Sequence, residues 1–495
     1  MEGNRRKPTI YQEVYKEFDS KILRVLKTVD KQIAKNLRDG GIATRPSNSN
    51  GLWCCILLPT VLILYSSLYK VSELYSLLAY ISVGLMAYCF LFIVFVSVSC
   101  LVLQENIYGG CAAASFTSTL LMYIFNKQGI MFSLISSMSA VHAFSSLLRI
   151  SLTMFPKTFT VGEAMIVVQS IVLFAVMAVI KIVYNMGDVE DAEMRFINSV
   201  NFTILSAVGI IVTALCALDD SQRNLTALAY ILCVAGTYAL MILHVKVGVD
   251  CIVRLAEYIF LDANRVKLFF FWLCLAAVAA AAILLRTQLA VKATTVTRKT
   301  FHVLASIVFL SGILYDVRLM NLAAGFGLGL MIMIEALRKS EIEPISSALQ
   351  AAFAVYSDEK DVGSFAMTPL YLYVGLACPL VLVPVHPGYE LELLSGVLSI
   401  GVGDTAASWF GSKYGFNKWA DGHKSLEGTA FNILTQVAVV HALKLFGILS
   451  VRNGLLRIGV TATVSGLVEA KTDQVDNLVL PLVTMIAFQV TSVLC

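Results

Sequence analysis

The stretch from Gly401 to Thr429, GVGDTAASWFGSKYGFNKWADGHKSLEGT, lies between two apolar runs and holds the densest set of groups able to do chemistry. Asp404 stands at the end of the first run among small, apolar neighbours. A carboxylate there is costly unless water, a cation or a partner meets it, so it marks a functional position. Beyond it, Lys424, Ser425, Glu427, Gly428 and Thr429 open the second run. A cation, hydroxyls and the free N–H groups of a helix start converge at that point, a combination that suits a phosphate. Gly403, Ala407, Gly411 and Gly415 recur every fourth residue and on a helix form one smooth face for close backbone packing. Plain packing accounts for that face, and a carboxylate at a helix N-terminus accounts for Glu427. Neither accounts for Asp404.

Three further constellations accompany this stretch. Arg298 and Lys299 precede His302 by a helical turn, so the three sit together and can hold a triphosphate, or serve as ordinary membrane-end anchors. The segment Tyr356-Ser-Asp358-Glu359-Lys360-Asp361-Val-Gly363, followed by Thr368-Pro369, offers carboxylates that can bind Mg²⁺ or orient the two cations, or else a solvated loop. Glu469, Asp473 and Asp476 share one face if their turn stays helical, which points to a metal or a partner. GHKS at 422–425 lacks the earlier glycine and the preceding strand of a Walker loop, and no kinase, nucleophile-elbow or zincin signature is present.

These groups must be positioned by membrane helices. The 495 residues are 58% hydrophobic and only 14% charged, far from a soluble composition of about a quarter charged. Apolar runs fall at about 52–70, 75–103, 109–125, 128–148, 158–184, 197–217, 224–245 and 267–290. A second series falls at about 300–316, 319–337, 366–385, 391–411, 428–449, 454–469 and 478–494. The fold expected is all-α and polytopic, with about fifteen transmembrane helices. It divides into a basic arm over 1–50, N-terminal helices over 51–290 and a catalytic region over 291–495. Val14, Phe18, Ile22 and Val25 recur at helical spacing, so the arm holds an amphipathic helix or is a solvated tail. A net charge of +4 without an aromatic-interleaved basic patch speaks for membrane anchoring and against a nucleic-acid partner. Cysteines such as Cys89, Cys100, Cys233 and Cys274 sit inside apolar runs without metal or disulfide spacing. No signal-peptide core and no CaaX box is visible, so insertion is expected to begin at the first span.

Alternation of the spans places 291–299, 338–365, 411–427 and 470–477 on one side of the membrane. Those loops hold Lys292, Arg298, Lys299, Arg338, Lys339, Lys360, Lys413, Lys418, Lys424 and Lys471, which makes that side cytosolic by the positive-inside rule. Loop 246–266 breaks the pattern, because it falls on the far side and carries Lys246, Arg254 and Arg265. Hard oxygen ligands, lysines and a helix N-terminus on one face suit a nucleotide with Mg²⁺, and phosphoryl transfer needs chiefly positioning and charge neutralisation. In that chemistry Lys424 meets the phosphates and Asp404 meets the metal or orients a lipid hydroxyl, with Asp473 and Asp476 as further metal ligands. A transporter with an intramembrane Asp fits the same residues.

GVGDTAASWFGSKYG followed by KSLEGT, then EAKTDQVDNLVLPL, together with TRKTFH, SDEKDVG and TPLYLYVGLACPL, resembles the dolichol kinase family of polyprenol kinases, in order over about residues 295–495. The resemblance implies a multi-pass enzyme of the endoplasmic reticulum whose active site faces the cytosol. Such an enzyme phosphorylates dolichol or a related polyprenol with CTP and a divalent cation such as Mg²⁺, for lipid-linked sugar synthesis and protein glycosylation. It makes Trp419 through Leu434 the nucleotide segment, with Trp419, Asp421, Gly422, His423, Lys424, Ser425, Glu427, Gly428 and Thr429 as contacts. His423 stands where another lysine is expected. Other isoprenoid-alcohol kinases and phosphatidate cytidylyltransferases share parts of the pattern and form the alternative class.

Overall fold

A chain this apolar can satisfy its backbone N–H and C=O groups in a bilayer only within helices or a closed barrel, and it takes the first route. The computed structural model describes residues 27–103, 107–183, 191–289, 292–357, 360–386, 388–419, 424–450 and 453–494. Helix α1 covers 27–39, and α2 (Leu57–Leu68), α3 (Glu73–Val98), α4 (Tyr108–Phe125), α5 (Ile130–Met154) and α6 (Val161–Val183) follow. The middle of the chain forms α7 (Ala192–Ala217), α8 (Leu225–Val247), α9 (Cys251–Phe260), α10 (Ala263–Gln288), α11 (Thr295–Tyr315) and α12 (Val317–Lys339). The remainder forms α13 (Ile345–Tyr356), α14 (Met367–Leu382), α15 (Glu390–Leu393), a π-helical stretch Val397–Asp404, α16 (Thr405–Tyr414), α17 (Leu426–Leu445), α18 (Gly454–Lys471) and α19 (Asp476–Leu494). Polar residues set many of the starts. The side chains of Asp191, Asn224, Asp262, Thr294, Asp316 and Ser425 each accept a first-turn N–H.

Each apolar run of the sequence forms helix. Among the described residues nine helices, α3, α5 to α8, α10 to α12 and α19, are long and apolar enough to cross a membrane. The other runs form α2, α4, α14, the α15–α16 stretch, α17 and α18, which are shorter or more polar. The amphipathic pattern at Val14, Phe18, Ile22 and Val25 lies outside the described residues.

The chain forms two compact units. The first joins Met1–Ile56 with Tyr80–Val176. Within it the basic segment after α1 is tied down: the Arg45 guanidinium donates to both oxygens of the fully buried Glu163, at 3.0 and 2.5 Å. Gly162 allows the contact, since a Cβ there would lie 1.8 Å from the Gly51 carbonyl oxygen.

The second unit joins Leu57–Ala79 with Met177–Cys495 and contains the whole of the region over 291–495. At its centre the π-helical stretch packs against α11, α14, α16, α17, α18 and α19. The face of Gly403, Ala407, Gly411 and Gly415 meets the start of α17, where added Cβ atoms at Gly411 and Gly415 would press on Ser425. Deep in this unit the Glu392 carboxylate accepts from Tyr65 Oη (2.8 Å), His386 Nε2 (2.9 Å), Gln489 Nε2 (2.6 Å) and Arg457 Nη2 (2.7 Å). The hub joins α2, α15, α18 and α19. Loss of Arg457 alone would leave this buried carboxylate without its cationic partner.

Two ion-pair groups report the alternation of helices. Arg223, between α7 and α8, meets Glu341, just after α12, at 2.5 Å. At the other ends of these helices Arg265 meets Glu193 at 2.6 Å and Asp316 at 2.8 Å, and Arg318 meets Asp191 at 2.6 Å. The starts of α7, α10 and α12 therefore share one face, and the ends of α7 and α12 share the opposite one. This accounts for loop 246–266. Arg254 lies on the surface helix α9, Arg265 is neutralised by two carboxylates, and Lys246 lies over the Phe202 ring, so formal charge overstates the loop's bias. In a cysteine-free variant of the protein in sealed vesicles, cysteines placed at 222 and 343 are expected to react with an impermeant maleimide from the same side, and one at 262 from the opposite side. Labelling of 222 and 262 from one side would contradict this arrangement.

Candidate active site

The π-helical stretch carries Asp404 to its end, where the carboxylate is 3% exposed. A π turn holds one more residue than an α turn, and such turns recur at functional sites. Gly401 lets it approach α11: a Cβ there would lie 2.0 Å from Ser306 Oγ. On α11, Lys299 forms an ion pair with Asp404, and both side chains are nearly buried. His302, one turn further on, is also buried, with Nδ1 3.3 Å from the Arg298 carbonyl oxygen.

Two other segments complete the site. Helix α18 ends at Lys471 and α19 begins at Asp476, with Thr472 extended between them. This break separates the acidic residues, which do not share one continuous helical face. It leaves Glu469 buried and Asp476 half-buried at the site, and Asp473 exposed outside it. Lys424 Nζ lies 2.7 Å from Glu469 Oε1, 2.5 Å from the Glu469 carbonyl oxygen and 3.6 Å from Asp476 Oδ2. Lys360, from the loop before α14, lies 3.9 Å from Asp476 Oδ2 and donates to the Gln474 carbonyl at 3.1 Å. Asp404, Glu469 and Asp476 each offer an oxygen within 4.8 Å of the others. Three carboxylates are thus matched by Lys299, Lys360 and Lys424. Burial alone would lower the pKa of Lys424, but the charges of Asp476 and Glu469 more than offset this and hold it above its ordinary value.

A cavity of about 80 Å³ opens among Arg298, Lys299, His302, Lys360, Asp404 and Asp476. The residues fit a hard divalent cation: three carboxylates converge, and Asp476 Oδ1 is buried with no hydrogen-bond partner. Segments 291–299, 338–365, 411–427 and 470–477 all send a residue here, as span parity requires.

The loop before α17 is built as a small hairpin. Lys418 pairs with Ser425, Trp419 N–H donates to the Lys424 carbonyl at 3.1 Å, and Leu426 N–H donates to the Asn417 carbonyl at 2.8 Å. Glu427 accepts from the Asn417 backbone and side chain at 2.7 to 3.2 Å. Ser425 caps Gly428, and Thr429 Oγ1 accepts from Trp419 Nε1 at 3.1 Å. Lys471 lies 4.8 Å over the Trp419 ring. Ser425, Glu427, Gly428 and Thr429 therefore shape the loop and engage α17's first N–H groups, while Lys424 alone of this set reaches the carboxylates. Asp421, Gly422 and His423, like Asp358 and Glu359 of the acidic segment, lie outside the described residues. Asp361 accepts from Thr368 N–H at 3.0 Å and shapes the start of α14.

Sequence reasoning left Lys360 and Glu469 out of the assigned set. Glu469 carried a signal, a carboxylate at the end of an apolar run. For Lys360 there was none, because only the fold brings its loop beside Asp476. The Glu392 hub was signalled by a carboxylate and an arginine inside apolar runs.

No solved structure matches the chain. The dolichol kinase of Mus musculus is 30% identical over 399 residues, covering 76% of this chain and 73% of the mouse protein. That of Saccharomyces cerevisiae is 26% identical over 252 residues, covering 50% and 47%. Dolichol kinase EVAN of Arabidopsis thaliana is 33% identical over 192 residues, covering 38% and 33%. The sequence model of the family described as Dolichol kinase matches residues 79–376. The match reaches well into the first half, where the motifs are silent. With more than half the chain matched to that family, and a relative aligned over most of both lengths, the protein belongs to the dolichol kinase family.

Proposed function

We propose that the protein transfers the γ-phosphate of CTP to dolichol at the cluster of Asp404, Glu469 and Asp476 with Lys299, Lys360 and Lys424. The observation that carries this reading is the convergence of three carboxylates and three lysines beside one cavity, which Lys299, Lys360, Asp404 and Asp476 line. A triphosphate competes for the three ammonium groups, with Arg298 beside them, and so frees the carboxylates. Asp404, Glu469 and Asp476 would hold a divalent cation, which when bound screens the charge of the phosphates. The lipid oxygen forms its bond to the γ-phosphorus as the bond to the β,γ-bridging oxygen breaks. CDP leaves, and the hydroxyl proton passes to the Asp404 carboxylate. Lys424, kept protonated by Asp476 and Glu469, stabilises the charge that moves onto the leaving oxygens. The lysines on the loops of this face support a site that faces the cytosol, and the membrane of this reading is that of the endoplasmic reticulum.

Purified protein supplied with CTP and dolichol is expected to yield labelled dolichyl phosphate from γ-labelled CTP and no labelled lipid from α-labelled CTP. Lipid labelled from the α-position with release of pyrophosphate would make the enzyme a cytidylyltransferase, and label from ATP alone would remove CTP as donor. In the same assay Lys424→Ala is expected to raise the KM for CTP about tenfold or more, with a smaller fall in kcat. An unchanged KM would take Lys424 out of the nucleotide site.

A further inference from the structure

The helices that bring charged groups to the cluster carry, one or two turns deeper, buried polar side chains with unpartnered atoms. Ser306 lies below His302 on α11, Asn432 and Gln436 below Lys424 on α17, and Thr461 and Ser465 below Glu469 on α18. The two amides are the informative pair, and both are 0% exposed. Gln436 Nε2 donates to Asn432 Oδ1 at 2.6 Å, which leaves Asn432 Nδ2 as a free donor and Gln436 Oε1 as a free acceptor. Turning both amides end for end exchanges the atoms but leaves the same remainder, one wholly unpartnered amide nitrogen and one wholly unpartnered amide oxygen. A cation needs acceptors only and an anion donors only. A hydroxyl both accepts and donates, and so can meet the two together. Buried polar groups left unpaired carry their full desolvation cost, so the pair is built to be met.

Its position says by what. Gly403, the chain neighbour of Asp404, sits against the pair, and a Cβ there would lie 2.6 Å from both Asn432 Oδ1 and Gln436 Nε2. The amides are thus one residue from the carboxylate and on its membrane-interior side, the side from which a lipid alcohol arrives. We propose that Asn432 and Gln436 form a hydroxyl subsite, where the alcohol of the acceptor lipid docks from the bilayer before it turns to Asp404. The inference rests on the lipid-kinase reading and deepens it, giving the acceptor's polar end a position apart from the nucleotide. The alcohol oxygen accepts from the free amide N–H, and its proton is donated to the free amide oxygen. Water offers the same chemistry, and the test separates the two.

Purified full-length protein is titrated with tritiated dolichol and, in competition, with its O-methyl ether, which keeps the tail and the oxygen but has no proton to donate. The wild type is expected to bind the alcohol about tenfold more tightly than the ether, because a site built to bond a hydroxyl rejects the analogue that lacks it. Asn432→Leu/Gln436→Leu removes both polar ends together and strands neither. It is expected to bind the two lipids alike while the KM for CTP stays within about twofold. Gln436→Met alone is expected to show a reduced preference, and it decides the matter if the double variant does not accumulate. A double variant that keeps the wild-type preference means that water fills the pair, and overturns the proposal. So does a parallel rise in the KM for CTP and for dolichol, which marks the pair as packing alone. If the wild type prefers the alcohol but transfers nothing from CTP, the kinase reading fails and the subsite stands. If the wild type shows no preference, the subsite fails whatever the transfer assay gives.

Discussion

An ammonium and a carboxylate in contact attract strongly once water is removed, but each must first lose its hydration. A buried pair therefore persists only where surrounding helices hold both partners in register. Lys299 and Asp404 form such a pair between α11 and the π-helical stretch, and the site depends on it. The π turn aims Asp404, glycines at 401 and 403 let α11 and α17 close on it, and the break between α18 and α19 sets Glu469 and Asp476 alongside. Carboxylates and lysines are equal in number, and Arg298 adds a further cation beside them. The cluster can open to a polyanion and a divalent cation together, the lysines meeting the one and the carboxylates the other.

The second unit contains a contrasting polar centre. Glu392 accepts four hydrogen bonds from Tyr65, His386, Gln489 and Arg457, which enclose its carboxylate. At the candidate site Asp476 keeps an oxygen without a partner, and the amides of Asn432 and Gln436 keep a donor and an acceptor. Burial is alike in the two places. What separates the two is that carboxylates and lysines converge beside a cavity at the candidate site, whereas a single carboxylate is enclosed by its donors at the hub.

Much of this was legible in the sequence, for reasons that differ by residue. The apolar runs that hydropathy located all became helix, because a bilayer leaves the backbone few other ways to satisfy itself, whereas α9 and α13 lie in stretches read as loops. Asp404 and Lys424 were legible because charge beside apolar or helix-start sequence has few inexpensive explanations. Asp473 was read as a ligand on the assumption that its turn stayed helical, whereas the chain straightens at Thr472 and turns Asp473 outward. Lys360 and the amide pair were illegible, since their meaning lies in partners more than a hundred residues away or in atoms left unpaired by packing. Loop 246–266 misled a count of formal charges, because the carboxylates that neutralise Arg265 come from distant helix ends.

The central claim is that the Asp404 carboxylate takes part in phosphoryl transfer and is not merely a counter-ion that keeps Lys299 in place. Asp404→Asn preserves size and most packing while removing the charge. Its kcat with CTP and dolichol, measured on monodisperse detergent-purified protein and normalised to folded enzyme, is the direct test. The account predicts a fall of about a hundredfold or more with the protein still accumulating. A variant that folds and turns over at the wild-type rate would contradict it.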